Sequence, residues 1–434
     1  MNPVTVGIIG IVVLILIFLL RMPVGFAMAF VGFIGFSFLV SPEAGFSILA
    51  RDVFHIFSSY SLTVIPMFVF MGSIAFASGM SRRLYDASYL LLGRLRGGLA
   101  MATVAACASF AAICGSTNAT AAAMGRVALP EMKRYNYADS LATGSVAAAG
   151  SLGILIPPST IFIVYGILTE QSIGKLFVAG VFPGLILAVL FIIVVAILCR
   201  YNPNLAPAGV ATSWKEKISG LGGVIETLVL FGVVIVGLFL GWFSPTQAGG
   251  VGAGGALLIG LATRQLTWQG FLGAVKDTLR ITCMVMIIIA GATVFGHFIA
   301  VAKIPLILAD WVIGLPLPPV AVMGVIVLIY LLGGCFMDAL ALITLTIPIF
   351  YPAVLALGFD PIWFGVIIVL VTEIGVITPP VGVNVYVIKG IAENVSLETI
   401  FRGILPFLVA LIVAVGLLMA FPRIATFLPS LAMQ

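Results

Sequence analysis

The sequence predicts an all-α polytopic membrane protein made of two inverted repeats, each holding a re-entrant hairpin and a broken helix. Three observations lead there. Of 434 residues, 62% are hydrophobic and only 8% charged, against roughly a quarter charged in soluble domains. Mean hydropathy is +1.29, and many apolar runs approach the ~20 residues that span a bilayer. Two stretches 222 positions apart, Gly153 to Ser159 (GILIPPS) and Gly375 to Val381 (GVITPPV), each put a glycine and a Pro-Pro pair inside an apolar run. Proline lacks the amide donor and clashes with the preceding turn, so a helix breaks there. Matched breaks in two halves of a membrane chain point to transport sites.

In order, spans are expected at 5–20 and 24–40, followed by an amphipathic helix at 44–58 that is too short to cross and lies at an interface. A span at 61–78 leads to a basic connector holding Arg82, Arg83, Arg94 and Arg96. Residues 98–134 form two short apolar arms meeting at a polar, turn-prone tip from Cys114 to Thr120, flanked on both sides by basic residues. If both flanks obey the positive-inside rule, the segment is a hairpin that re-enters its own side. The first broken helix covers 139–168, a span covers 176–198, and a polar loop at 200–219 links the halves.

The second half repeats this plan. Spans fall at 224–242 and 247–262, an amphipathic segment runs from Trp268 to Arg280, and a span covers 281–300. A second hairpin follows at 317–356 with its tip at Gly334 to Asp338, then a broken helix at 362–392 and a span at 401–422. The flanks of the second hairpin carry no Lys or Arg, so it enters from the opposite face and the repeat is inverted. With the N-terminus outside, Arg51, Lys175, Lys303 and Arg423 fall outside, Arg126 stays within the first hairpin, and the rest of the 20 basic residues fall inside. Both termini are then external.

Composition also argues against other classes. The net charge of +5 comes from residues between apolar runs, which excludes a nucleic-acid surface. The five cysteines are odd in number and form no CxxC, so neither a disulfide framework nor a zinc site is expected. His55 and His297 stand alone. No nucleophile–base pair suggests an enzyme. The run from Val4 to Leu20 lacks a basic leader and reads as a retained helix.

The tips and breaks are expected to meet in pairs at mid-membrane. In the first half Ser116, Thr117, Asn118 and Thr120 supply hydroxyl and amide oxygens, and Gly153, Ile156 and Pro158 supply unwound carbonyls. Neutral oxygens without thiolate or imidazole suit a hard cation, best read as Na⁺; a small-residue packing patch is the competing reading. Sodium site 1 is therefore expected at Ser116, Asn118, Gly153, Ile156 and Pro158. Sodium site 2 is expected at Asp338, Gly375, Thr378 and Pro380. An intramembrane carboxylate is costly and functional by default, although Asp338 also reads as a helix cap. Glu373 is either a second ligand there or an inward-facing pair partner. Thr117, Ser159, Thr160, Gly382 and Asn384 are the expected substrate contacts, because helix N-termini beside them present amides to an anion. Arg126 either binds a carboxylate or snorkels to the interface. Glu226 is expected to face another chain.

The runs Gly115 to Gly125 (GSTNATAAAMG), Leu129 to Lys133 (LPEMK), Ala147 to Ser159 (AAAGSLGILIPPS) and Gly375 to Asn384 (GVITPPVGVN) resemble the large membrane subunit of tripartite ATP-independent periplasmic (TRAP) transporters, within the ion transporter superfamily. The resemblance extends from the first span to the last. It implies an elevator mechanism in a prokaryotic inner membrane, with periplasmic termini. Scaffold would occupy 1–60, 176–280 and 401–434, and the moving transport domain 61–175 and 281–400, with the two amphipathic segments as arms. It further implies Na⁺ as the co-transported ion, substrate held between two Na⁺ sites, a small four-helix membrane subunit, and a periplasmic binding protein delivering an organic acid such as a C4-dicarboxylate or sialic acid. No small-subunit segment is fused at the N-terminus, so a separate one is expected. The alternatives are a stand-alone ion-coupled carboxylate carrier and an ion channel.

Overall fold

The computed structural model describes residues 2–20, 22–207, 222–314 and 316–431, and every regular element among them is helical. The chain opens with α1 (Pro3–Leu19), α2 (Val24–Leu39) and the amphipathic α3 (Pro42–Ser58). A 3₁₀ turn at Tyr60–Thr63 leads into α4 (Val64–Ala77), then α5 (Met80–Leu92). The first hairpin is α6 (Gly98–Cys114) and α7 (Thr117–Arg134); the first broken helix is α8 (Asp139–Ser151) and α9 (Thr160–Thr169). After α10 (Ile173–Tyr201) come α11 (Gly222–Phe239), α12 (Pro245–Ala262), α13 (Trp268–Val301) and α14 (Ile304–Ile313). The second hairpin is α15 (Pro319–Gly334) and α16 (Ala339–Ala356), and the second broken helix α17 (Pro361–Ile377) and α18 (Val383–Ile391). The chain ends with α19 (Leu397–Ala420) and α20 (Arg423–Leu431). Both hairpins and both breaks lie where the Gly and Pro punctuation places them.

Among the described residues, five helices are individually long and apolar enough to cross a bilayer: Tyr60–Ala77, α10, α13, α16 and α19. Their outer faces stay apolar and exposed, as at Leu185, Val189, Ile193 and Ile197 of α10. Their inner faces join a continuous core that includes Phe191, Phe364 and Phe407. A second apolar cluster ties α1 and α2 to the later part of α13 through Leu14, Met28, Phe295 and Phe298. There Gly25 faces Ile287 so closely that a Cβ would stand 2.6 Å from the Ile287 carbonyl oxygen. Without a hydrophobic force between helices in lipid, such small-residue approaches provide the packing.

Several features differ from the sequence reading. The amphipathic segment Trp268–Arg280 and the following span are one helix, α13, of 34 residues. In the first half α3 and α4 are separate, because Ser59 takes an extended conformation (φ −71°, ψ 121°) and the Ser58 hydroxyl donates to His55 O. Serines that bond locally compete with the helix ladder; the Arg280–Ile281 junction has none. The basic connector is largely α5, started by Gly79 at φ +69°. Glu226 has a partner within the chain, since Arg83 Nη2 donates to its Oε2 at 2.8 Å. His297 Nε2 lies 2.8 Å from Asp52 Oδ2, so it is not isolated. Most of the expected 200–219 loop falls outside the described residues.

Candidate functional site

The tip of the first hairpin begins at Gly115, which ends α6 in the left-handed conformation (φ +64°). Only glycine adopts this freely, and here space demands it too: a Cβ would lie 2.5 Å from Pro158 O. Ser116 then turns the chain extended and caps α7, accepting from Ala119 N at 3.4 Å. The first break is a 3₁₀ turn (Leu152–Ile154), a cis Pro157–Pro158 bond, and Ser159 capping α9 by accepting from Phe162 N at 3.3 Å. Tip and break are joined directly, because the Thr160 hydroxyl donates to Gly115 O at 3.1 Å.

Gly153 lies against Ser116 O and Thr120 Oγ1, which a Cβ would approach to 2.5 and 2.8 Å. Two oxygens of this tip, Asn118 Oδ1 and Thr120 Oγ1, are buried with no hydrogen-bond partner. Buried polar atoms are nearly always satisfied, so such orphans call for an explanation. Ser116, Gly153 and Pro158 are thus brought together, with Asn118 and Thr120 on the same tip. Ile156 packs its side chain on Gly184 of α10, and its expected contribution is the backbone carbonyl of the same break.

The second tip is built differently. Asp338 caps α16, its Oδ2 accepting from Leu340 N at 3.0 Å, while its side chain stays open. Gly375 abuts Gly334, and Val381 N donates to Cys335 O at 3.4 Å. Thr378 Oγ1 donates back to Ile374 O, Pro379–Pro380 is cis, and Gly382 (φ +56°) precedes α18. Residues 151–166 are buried throughout, whereas Pro379, Pro380 and Val381 are exposed. Glu373 is not beside Asp338. Two residues from Gly375 it projects from the other side of α17, where its Oε2 lies 3.4 Å from Ser151 Oγ.

Both tips open on one cavity of about 590 Å³, within the range of small-molecule sites. Its wall includes Ser116, Thr117 and Asn118 of the first tip, Thr160 of α9 and Asp338 of the second tip. The N-terminal ends of α7, α9 and α16 therefore border the same space, and helix N-termini attract anions. Arg126 also lines it. Asn118, Ala122 and Arg126 recur at four-residue spacing, so they stack on the α7 face turned to the cavity. That periodicity was available in the sequence. Asp277 of α13 is a wall residue the sequence reading missed; Gly270, Gly273, Ala274, Asp277 and Ile281, spaced three and four apart, mark its face. Of the expected substrate contacts, Thr117 and Thr160 reach the cavity. Ser159 is a buried cap, Gly382 adjoins Phe401, and Asn384 is buried with Nδ2 donating to Ala147 O at 3.1 Å.

A hairpin tip joined to a broken helix beside a largely apolar cavity with a few convergent polar groups fits a transport site, and sequence comparison decides the family. The family model of the tripartite ATP-independent periplasmic transporter, DctM component, matches residues 11–424. The chain belongs to this TRAP family. It is 37% identical to the C4-dicarboxylate TRAP transporter large permease protein of Pseudomonas aeruginosa, covering 90% of this chain and 91% of the relative. It is 32% identical to the sialic acid TRAP transporter large permease protein of Vibrio cholerae, over 94% and 95% of the two chains. Among solved structures, Neisseria gonorrhoeae MtrF, described as one of a class of antimetabolite efflux pumps, superposes with a TM-score of 0.61 at 17% identity, over 97% of this chain and 95% of that one. That likeness concerns the fold. As a TRAP large permease, this chain is a membrane transport subunit.

Proposed function

We propose that this TRAP subunit imports a small organic carboxylate by Na⁺-coupled elevator motion. Na⁺ would occupy the first tip between Ser116 O, Asn118, Thr120 and the carbonyls of the 152–158 break, and a second Na⁺ the tip at Asp338, Thr378 and the Gly375–Pro380 break. The observation that carries this is the pair of unpartnered buried oxygens, Asn118 Oδ1 and Thr120 Oγ1, at the tip that borders the cavity. A hard cation satisfies such oxygens. The carboxylate would sit in the cavity against the three helix N-termini and Arg126. Bound Na⁺ would lower the cost of bringing an anion there, which is the physical basis of coupling.

In this reading the two halves are inverted repeats, both termini are periplasmic, and the hairpins with their broken helices move against the remaining helices. The named relatives serve C4-dicarboxylate and sialic acid transporters, and a comparable acid is the cargo proposed here. A small four-helix membrane subunit and a periplasmic binding protein complete the system. The test is uptake into proteoliposomes containing both membrane subunits and supplied with the binding protein. Uptake is expected only with an inward Na⁺ gradient, and equal uptake without Na⁺ overturns the reading.

A further inference from the structure

Away from the cavity, the two broken helices touch at corresponding positions. Ser151 of α8 and Glu373 of α17 are 222 residues apart, the offset between the halves. Glu373 is completely buried, and its Oε1 has no hydrogen-bond partner. No ion pair among the described residues reaches it. A buried carboxylate without a counter-charge is expensive in any protein interior. Either a proton on the carboxyl or a cation beside it offsets that cost.

The surrounding oxygens indicate which. Ser151 has a single hydroxyl proton, and Oγ lies 2.8 Å from Ala148 O. That shorter contact competes for the one proton, so the Ser151 hydroxyl donates only weakly to Glu373 Oε2 at 3.4 Å and keeps lone pairs free. An O–H···O bond usually spans about 2.5–3.0 Å, so a contact of this length is a weak one. Ca²⁺, close to Na⁺ in size, holds oxygens at about 2.3–2.6 Å, which puts two ligands at right angles about 3.4 Å apart. One helical turn earlier on α8, Ala147 O accepts from Asn384 Nδ2, leaving the buried Asn384 Oδ1 unpartnered. Carboxylate, hydroxyl and amide oxygen thus come from α17, α8 and α18, against one stretch of α8.

We infer that Glu373, Ser151 and Asn384 form a further Na⁺ site between the two broken helices, distinct from both hairpin tips. Its carboxylate supplies the charge, Ser151 Oγ and Asn384 Oδ1 the neutral ligands. The site joins the two halves directly, so occupancy there stiffens the contact between them.

The test is ²²Na⁺ binding to the purified complex of this chain with its partner membrane subunit. Wild type should bind one Na⁺ more per chain than Glu373→Gln, which keeps size and shape. Ser151→Ala should keep the site but weaken its Na⁺ affinity several-fold. Equal Na⁺ counts and affinities for wild type and both variants overturn the inference. Infrared difference spectra give an arm that needs no variant activity. A protonated-carboxyl band that disappears as Na⁺ is added to wild type supports the site if Ser151→Ala shifts that titration to higher Na⁺. A band that persists at saturating Na⁺ means a proton occupies Glu373 and overturns it. The hairpin sites are judged separately: loss of all Na⁺ dependence in wild-type uptake refutes those, while this count is read on the purified complex.

Discussion

Gly153 rests on the carbonyl of Ser116, with 2.5 Å between that oxygen and the place a Cβ would take. Thr120 Oγ1 is the next atom such a methyl would meet, at 2.8 Å. Gly153→Ala is therefore expected to push the first break off the first hairpin tip. If these oxygens grip Na⁺, the concentration of Na⁺ at half-maximal uptake should rise at least tenfold while the complex still assembles. Unchanged Na⁺ dependence in the assembled variant would place the ion elsewhere.

Thr160 makes the only side-chain bond described between that tip and that break, donating to Gly115 O at 3.1 Å. Thr160→Val keeps the shape and removes the donor. A buried hydrogen bond contributes about 1 kcal/mol net, so apparent Na⁺ affinity should fall several-fold and thermal stability slightly. Thr160→Ser should restore both.

Asp338 separates two roles. As a cap it accepts from Leu340 N, and Asn caps a helix about as well as Asp. Asp338→Asn should therefore leave the melting temperature nearly unchanged. If the carboxylate serves a cation, Na⁺-driven uptake should nevertheless fall by an order of magnitude or more. Asp338→Ala should lose uptake and in addition about 1 kcal/mol of stability. Wild-type uptake in Asp338→Asn would remove the residue from the site.

The hairpins and breaks were legible because glycine and proline interrupt the backbone whatever packs around them. The 98–134 and 139–168 expectations match α6 to α9 within a residue at each end. What tertiary contacts decide was not legible. Nothing local indicates that the 151–159 break is sealed while Pro379 and Pro380 stay exposed. Nor did hydropathy show that α13 runs unbroken through its change from amphipathic to apolar, since helix continuity depends on the backbone and not on polarity. Glu373 was flagged by its charge, but its position opposite Ser151 depends on the packing of two halves. Arg126 was undecided because its charge fits either an interface or a cavity. Only the helix face, shared with Asn118 and Ala122, separates the two.

That face leads to the last expectation. Arg126 lines the cavity together with Thr117 and Thr160, and no ion pair among the described residues engages it. A carboxylate cargo gives it a partner. Hydrogen bonds to charged groups contribute about 1.5–3 kcal/mol, which is about tenfold to a hundredfold in affinity. Arg126→Gln should therefore raise the KM for uptake by that factor while the Na⁺ dependence stays put. Arg126→Lys should recover only part of the loss, because an ammonium lacks the planar two-pronged geometry that matches a carboxylate. Kinetics measured at saturating Na⁺ check this, and an unchanged KM in both variants would assign Arg126 to the membrane interface.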